Sequence, residues 1–264
     1  MYAFEYHRPT TLSEAAALLS QKPDAKLLAG GHTLLPTMKQ RLAQPSDLID
    51  LSQIQELRGI GEEGGALVIG AMTRHGEVER SELVRRTIPA LADLAGRIGD
   101  PQVRNRGTIG GSLANNDPAA DWPAAVLGLG ARIRTNRREI AADDFFTGMF
   151  ETALGEDEII TQVVFPRPQQ AAYAKFPNPA SRYAIVGVFV ARTDQGIRVA
   201  VTGAGPCVFR AGEIEAALAR DFSPQAVDGV EIDSADLNSD IHASADYRAH
   251  LIKVMTKRAL AQLV

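Results

Sequence analysis

Residues 27–36 have the sequence Leu-Leu-Ala-Gly-Gly-His-Thr-Leu-Leu-Pro, a short apolar strand that runs into two adjacent glycines. Glycine tolerates positive φ angles and lets a ligand approach the main chain closely. Consecutive N–H groups in such a turn can form a concave anion site, which would suit a diphosphate. One such turn is weak support for ligand binding, because adjacent glycines also occur in ordinary tight turns.

A second segment, Thr-Ile-Gly-Gly-Ser-Leu at residues 108–113, repeats this chemistry. Two glycine turns from distant parts of the chain could hold one diphosphate from two sides. Asn115, Asn116, Asp117 and Asp121 follow and offer hydrogen bonds to a ribityl chain or a ribose, although each also suits a cap or a turn. The pattern favours a large phosphate-containing cofactor.

Two common nucleotide-binding motifs do not occur in the sequence. Neither Gly-x-Gly-x-x-Gly nor a Gly-Lys-Ser/Thr P-loop is found. A Rossmann or P-loop fold is therefore disfavoured.

The composition is that of an ordinary globular protein, with 264 residues, 45% hydrophobic and 23% charged. The net charge is −4 and the sequence has no basic stripe, so a nucleic-acid partner is disfavoured. We expect no membrane span, no signal peptide and a cytoplasmic location. Cys207, the one cysteine, cannot supply the thiolates of an iron–sulfur cluster and is expected to be a small buried residue.

Hydrophobic periodicity predicts a mixture of helices and strands. Helices are predicted over 11–20, 37–42, 73–78, 89–98, 121–128, 212–220 and 244–263. Strands are predicted over 26–29, 47–51, 66–70, 131–135, 158–165, 184–192 and 197–203. The glycine-rich stretch 99–118 is predicted to be irregular, with Asp117-Pro118 as a possible start of the next helix. A boundary at 166–170 and a hairpin followed by helices indicate an α+β protein of two domains.

Longer strings of the sequence resemble a known family, the FAD-binding medium subunits of molybdenum hydroxylases and the flavin domain of xanthine dehydrogenases. The matching strings are LLAGGHTLLP (27–36), IGAMTRHGEV (69–78), QVRNRGTIGGSLANNDPAAD (102–121), EDEII (156–160) and HASADYR (242–248). They follow the order of the family over nearly the whole chain, and the 102–121 string is long and specific.

The resemblance implies an α+β fold with two domains. Residues 1–168 would form an FAD-binding domain of the vanillyl-alcohol-oxidase (PCMH) type in two α/β lobes. Residues 169–264 would form a small α+β C-terminal domain of the CO dehydrogenase flavoprotein type. FAD would lie extended between the lobes and reach towards the second domain.

The resemblance also implies a set of cofactor-binding residues. The segment 27–35 would wrap the diphosphate with its main-chain amides. The implied residues are Leu27, Leu28, Ala29, Gly30, Gly31, His32, Thr33, Leu34, Leu35, Ile98, Thr108, Gly111, Ser112, Asn115, Asp121, Ile160, Lys175 and Tyr183. No catalytic side chain and no metal ligand is expected. The family often has an acidic residue just before the aromatic position, here Tyr183, but this chain has Arg182. The departure leaves the local flavin environment and the electron acceptor open.

By resemblance, a molybdenum cofactor on a large subunit oxidises the substrate, and [2Fe-2S] clusters on a small subunit relay the electrons to this chain's FAD. The acceptor would be NAD, a quinone or another molecule, and the complex a dimer of heterotrimers. One alternative is a stand-alone FAD-dependent oxidoreductase of the same fold, which would need its own substrate pocket. Another is a non-enzymatic nucleotide-binding or assembly protein. The substrate is not encoded in this chain.

Overall fold

The computed structural model describes residues 1–263 and contains three main sheets with helices packed against them. The first lobe holds a parallel sheet of order β1-β3-β2 and two helices. Its elements are β1 (Glu5–His7), α1 (Leu12–Gln21), β2 (Lys26–Leu28), α2 (Leu34–Lys39) and β3 (Asp47–Asp50). Thr11 caps α1 by accepting a hydrogen bond from the Glu14 N–H, as expected from the sequence.

The second lobe is built on a five-stranded antiparallel sheet of order β4-β5-β10-β6-β7. Its elements are β4 (Ile60–Glu63), β5 (Ala66–Gly70), α3 (His75–Arg80), α4 (Glu82–Thr87), α5 (Pro89–Gly96), α6 (Pro101–Arg104), α7 (Ile109–Asn115), α8 (Trp122–Gly128), β6 (Arg132–Thr135), β7 (Glu139–Ala141), α9 (Ala142–Phe145), β8 (Phe146–Gly148), β9 (Glu151–Thr152) and β10 (Ile160–Phe165). The short strands β8 and β9 pair with each other.

The C-terminal part is an antiparallel sheet of order β11-β12-β13-β14 covered by two helices. Its elements are β11 (Gln170–Pro177), β12 (Ala184–Thr193), β13 (Gly196–Thr202), β14 (Phe209–Arg210), α10 (Gly212–Arg220) and α11 (Ala245–Leu260). The apolar core of the second lobe continues into this sheet through Tyr173 and Phe189, both fully buried. The predicted α+β class is confirmed. The domain limits at 168 and 169 stay a prediction.

Three local predictions were wrong. Helix α2 begins at Leu34 instead of residue 37, because Pro36 lies in the first turn, where its missing N–H is not needed. The stretch 99–118 is not irregular, since Asp100 and Thr108 cap α6 and α7 through their side chains. Asp117-Pro118 does not begin a helix: α8 starts at Trp122, and the Asp117 side chain accepts from the Ala119 N–H in a turn.

Strand β11 was not predicted. Its residues 170–177 directly follow two prolines, and what makes them a strand is their antiparallel pairing with β12. Among residues 1–263, no helix combines the length and the apolar character that crossing a bilayer requires. The cytoplasmic location stays a prediction.

Candidate cofactor site

The loop after β2 presents a row of main-chain donors without protein acceptors. Gly31 adopts a φ of 76°, in the left-handed region that favours glycine, and Thr33 returns to the right-handed region before α2. From Gly30 to Leu34, no N–H donates to an acceptor within residues 1–263. Alternating left- and right-handed residues that leave consecutive N–H groups free form a concave anion site. We call residues 30–34 the amide nest.

The three longest sequence strings meet at this nest. Residues 71–75 run antiparallel to residues 107–110, with His75 N–H donating to the Gly107 carbonyl at 3.0 Å and Gly110 N–H to the Ala71 carbonyl at 2.8 Å. Gly30 lies against the same strip, because a Cβ atom on it would be 2.5 Å from the Arg106 carbonyl oxygen. Main-chain contacts therefore hold the nest on the 106–111 segment.

The second glycine segment has a different role from the one its sequence suggests. The N–H groups of Ile109, Gly110 and Gly111 donate to Thr73, Ala71 and the Thr108 side chain, so the start of α7 has no free donors there. A Cβ atom on Gly111 would lie 2.9 Å from Thr108 Oγ1 and 3.3 Å from Ala29 Cβ. Gly111 thus permits close packing between the two glycine segments. Of these two segments, the amide nest is the one that offers free N–H groups.

A cavity of about 790 Å³ opens above the nest, between the two lobes and the C-terminal part. This volume is in the range of cofactor sites. Most of the predicted residues line it: Leu27, Ala29, Gly30, Gly31, His32, Thr33, Leu34, Ile98, Thr108, Gly111, Ser112, Asn115, Asp121, Ile160 and Tyr183. Met72, Leu154 and Ile159 add apolar wall that the sequence did not indicate. Contact of these residues with FAD stays a prediction.

Leu28, Leu35 and Lys175 are not in the cavity wall. The side chains of Leu28 and Leu35 lie beside Gly31, on the side that a Cβ atom would occupy. Lys175 is buried and donates from Nζ to Asp121 Oδ2 at 2.9 Å and to the Arg97 carbonyl at 3.1 Å. The structure therefore places Lys175 behind the wall, as the partner of a wall residue.

Asp121 has both carboxylate oxygens bonded inside the protein. Tyr173 donates from its hydroxyl to Oδ1 at 2.6 Å, and Lys175 occupies Oδ2. Both partners come from β11, whereas Asp121 immediately precedes α8. The side chain thus links the second lobe to the C-terminal sheet. Asn116 is also structural, since its Nδ2 donates to the carbonyls of Gly148 and Glu151.

Tyr183 lines the end of the cavity that the C-terminal part forms, and it also lines a second cavity. It is half-exposed, and burial of its ring raises the pKa of its hydroxyl. The second cavity has a volume of about 470 Å³ and shares Asp117, Phe150, Ser181 and Tyr183 with the first. Its other wall includes His242 and Arg248 of the 242–248 string. Arg182, with a φ of 62°, lines the first cavity as well and donates to the Gly99 carbonyl at 3.2 Å.

His75 is a wall residue that sequence reasoning did not single out. It is 5% exposed, and its Nδ1 accepts from the Trp122 indole N–H at 3.0 Å. Burial, together with the charges of His32 and Arg104, lowers the pKa of His75 to about 4. The imidazole is therefore neutral at pH 7. In the sequence, His75 is marked only by its place in the 69–78 string. Its contact with Trp122, 47 residues away, cannot be inferred from the spacing.

Glu158 forms the charged edge of the wall. It is buried, and Arg138 donates to both of its oxygens at 3.0 Å. The hydrogen bond from Arg138 is the main reason why the pKa of Glu158 falls from 4.5 to about 2. A carboxyl whose pKa is lower in the folded state stabilises the fold above its unfolded pKa, and the contribution is lost as the pH falls.

We expect Glu158→Gln to remove part of the acid sensitivity of the protein. The wild type should lose about 1–2 kcal/mol more stability than the variant between pH 4.5 and 2, after allowance for the half-exposed Arg138. Denaturant unfolding across this window measures the difference. Glu156→Gln, at an exposed neighbour, is the charge-matched control and should follow the wild type. Parallel curves for Glu158→Gln and the wild type would contradict the assignment.

Residues 1–263 contain no group of three His, Cys, Asp or Glu side chains placed to hold a metal ion. The donor set fits a dinucleotide cofactor instead, with free amides for a diphosphate and apolar walls for rings. Two family models match the chain: the FAD binding domain in molybdopterin dehydrogenase over residues 2–168, and the CO dehydrogenase flavoprotein C-terminal domain over residues 171–263. The chain belongs to this family of FAD-binding oxidoreductase subunits.

Full-length relatives agree with the family match. The carbon monoxide dehydrogenase medium chain of Hydrogenophaga pseudoflava is 41% identical, over 97% of this chain and 96% of that protein. The nicotine 6-hydroxylase medium subunit of Paenarthrobacter nicotinovorans is 36% identical, over 98% and 97%. A solved structure of the Hydrogenophaga pseudoflava carbon monoxide dehydrogenase, lacking the Mo-pyranopterin moiety of its molybdenum cofactor, superposes with a TM-score of 0.90 at 40% identity, over 99% of this chain and 97% of that one. The resemblance inferred from the sequence is confirmed.

Proposed function

We propose that this chain is the electron-transferring flavin subunit of a molybdenum hydroxylase complex. Its FAD receives electrons from [2Fe-2S] clusters on a small partner subunit and passes them to an external acceptor, a quinone, NAD or another molecule. The bound flavin supplies the two-electron and one-electron chemistry, and the protein supplies position and electrostatics. The amide nest under a cavity of about 790 Å³ is the observation that carries the proposal.

The chain's own residues divide the binding task. The nest amides from Gly30 to Leu34 hold the diphosphate, and Ile98, Ile159 and Ile160 exclude water from apolar parts of the cofactor. Tyr183 lines both cavities, which supports the proposal that it lies beside the flavin ring.

The proposed partners follow from the composition and from the relatives. The single cysteine cannot supply the four thiolates that a [2Fe-2S] cluster usually needs, so we assign the clusters to another chain. The relatives are named as medium chains, which supports a small iron–sulfur subunit and a large molybdopterin subunit, here proposed as a dimer of heterotrimers. One relative belongs to a carbon monoxide enzyme and another to a nicotine enzyme, so we assign substrate choice to the large subunit.

The second cavity supports two uses of the same flavin. It shares Tyr183 with the first cavity and has a volume of about 470 Å³, enough for a small ring compound. In the proposed complex it would admit the final acceptor. In the stand-alone alternative it would admit an organic substrate, and it supplies the separate pocket which that alternative requires.

Gentle purification of the tagged chain from its native host separates these possibilities. We expect flavin, molybdenum and about four iron atoms per flavin, two for each [2Fe-2S] cluster, together with a small cysteine-rich chain and a large chain. Mass spectrometry and elemental analysis measure both. Anaerobic mixing of the dithionite-reduced complex with NAD or a soluble quinone then identifies the acceptor by the rate of flavin reoxidation.

A single chain that carries FAD, lacks iron and molybdenum, and turns over an organic substrate would overturn the proposal in favour of the stand-alone enzyme. A chain that stays colourless and binds no added FAD, alone or in its complex, would contradict flavin binding as well.

A further inference from the structure

The cavity wall contains one histidine ring that is held in a single protonation form. The Trp122 indole can only donate, so the Nδ1 atom of His75, 3.0 Å away, must accept. In a neutral imidazole the proton is then on Nε2. The lowered pKa of His75, about 4, is consistent with this neutral form at pH 7.

The Nε2 edge of the ring fills the space beside Gly107. A Cβ atom on Gly107 would lie 2.6 Å from His75 Nε2 and 2.8 Å from its Cδ2, so a larger residue there would displace the ring. Gly107 lines the cavity together with His75, and a Cβ atom on Gly30 of the amide nest would lie 2.8 Å from the Gly107 Cα. The Nε2 edge of His75 and the amide nest thus both approach Gly107.

The Nε2–H group has no acceptor in the protein. Among residues 1–263, His75 makes one side-chain hydrogen bond, the one to Trp122 at Nδ1. The side chain is 5% exposed and belongs to the cavity wall, and its Nε2 atom is not enclosed by protein, so a molecule in the cavity can reach this donor. An acceptor supplied by a bound molecule would satisfy it.

We propose that His75 is a positioning residue that donates its Nε2–H to an anionic oxygen of the FAD diphosphate, alongside the amides of the nest. This inference rests on the FAD site described above. A neutral donor adds a hydrogen bond without adding a titrating charge, and the Trp122 bond fixes the direction of that donor. The role of Trp122 is then to orient His75.

Two substitutions separate the hydrogen bond to Trp122 from the hydrogen bond to the cofactor. Asparagine places an oxygen near the Nδ1 position, so His75→Asn keeps an acceptor for Trp122 but loses the donor at Nε2. Glutamine reaches further, so His75→Gln restores an N–H donor near the Nε2 position. His250→Asn, at an exposed histidine, is the matched control.

Dissociation constants for FAD and for ADP, which shares the diphosphate, are measured on the full chain by fluorescence titration and calorimetry. We expect His75→Asn to weaken both ligands by about tenfold or more, the effect of losing a hydrogen bond to a charged group. His75→Gln should recover most of the affinity, and His250→Asn should match the wild type. The thermal midpoint of apo His75→Asn should stay near that of the wild type.

If the wild type binds FAD and a folded His75→Asn binds FAD and ADP equally well, the inference is wrong. If the wild type itself binds neither ligand, the proposed flavin site is wrong, and the assignment of His75 is wrong with it. Should His75→Asn not fold, ¹⁵N NMR of the wild type decides: a protonated Nε2 whose resonance moves when ADP is added supports the inference, and one that does not respond overturns it.

Discussion

Gly31→Val is expected to abolish FAD retention while the chain stays folded. At a φ of 76° a β-branched residue is strongly disfavoured, so the loop must change its backbone and turn its N–H groups away from the cavity. Each hydrogen bond to a charged group contributes about 1.5–3 kcal/mol, and loss of two weakens FAD about 100-fold or more. Flavin fluorescence titration of the purified chain measures this loss.

Gly65→Val is the matched control for this experiment. Gly65 has a φ of 82° in the turn between β4 and β5, and no atom lies within 4 Å of a Cβ atom built on it. The backbone strain of a valine is therefore similar at the two sites, although at Gly31 the Cβ atom would also lie 2.9 Å from Leu35 Cδ1, and Gly65 is not part of the cavity wall. Equal FAD affinities in the two variants would contradict the role of the amide nest.

Lys175→Met is expected to destabilise the chain by about 3–5 kcal/mol, because it leaves the Asp121 carboxylate buried without its cation. The side chains of Lys175 and Asp121 are 3% and 5% exposed, so water would hydrate the unpaired carboxylate poorly. Denaturant unfolding of the apo chain measures the change in the free energy of unfolding. A second substitution, Asp121→Asn, should restore part of the loss by removing the unpaired charge.

Lys257→Met is the control for the ion pair. Lys257 pairs with Asp228 at the surface, where such a pair is worth about 0–1 kcal/mol. If Lys175→Met costs no more than Lys257→Met, the buried pair does not stabilise the fold in the way the geometry indicates. Substitution of Asp121 should affect folding as well as FAD binding, because Tyr173 and Lys175 already occupy both of its carboxylate oxygens.

The parts of the site that depend on local chain geometry could be predicted from the sequence. The glycines at 30 and 31 after an apolar strand indicated an anion-binding turn, and the loop has that form. The similar glycines at 110 and 111 misled the prediction, because the carbonyls that occupy the N–H groups of residues 109 and 110 come from residues 71–73, a separate segment.

Long-range pairs could not be predicted in the same way. Asp121 and Lys175 are 54 residues apart, and their contact requires β11 to lie beside the residue that precedes α8. Nothing in the spacing of either residue shows whether its charge faces solvent, the cofactor or the other side chain. The same applies to His75, whose protonation form is set by a tryptophan in another helix.

The amide nest has a consequence for how this site tolerates sequence change. Its donors are peptide groups, which every residue except proline carries, and the side chains of His32 and Thr33 are exposed. Substitutions at these two positions that keep the backbone path can therefore accumulate without loss of the diphosphate contacts. Proline is the exception, because it removes a donor. The chemical identity of those two side chains is thus free to change, while the backbone path of the nest preserves its free N–H donors.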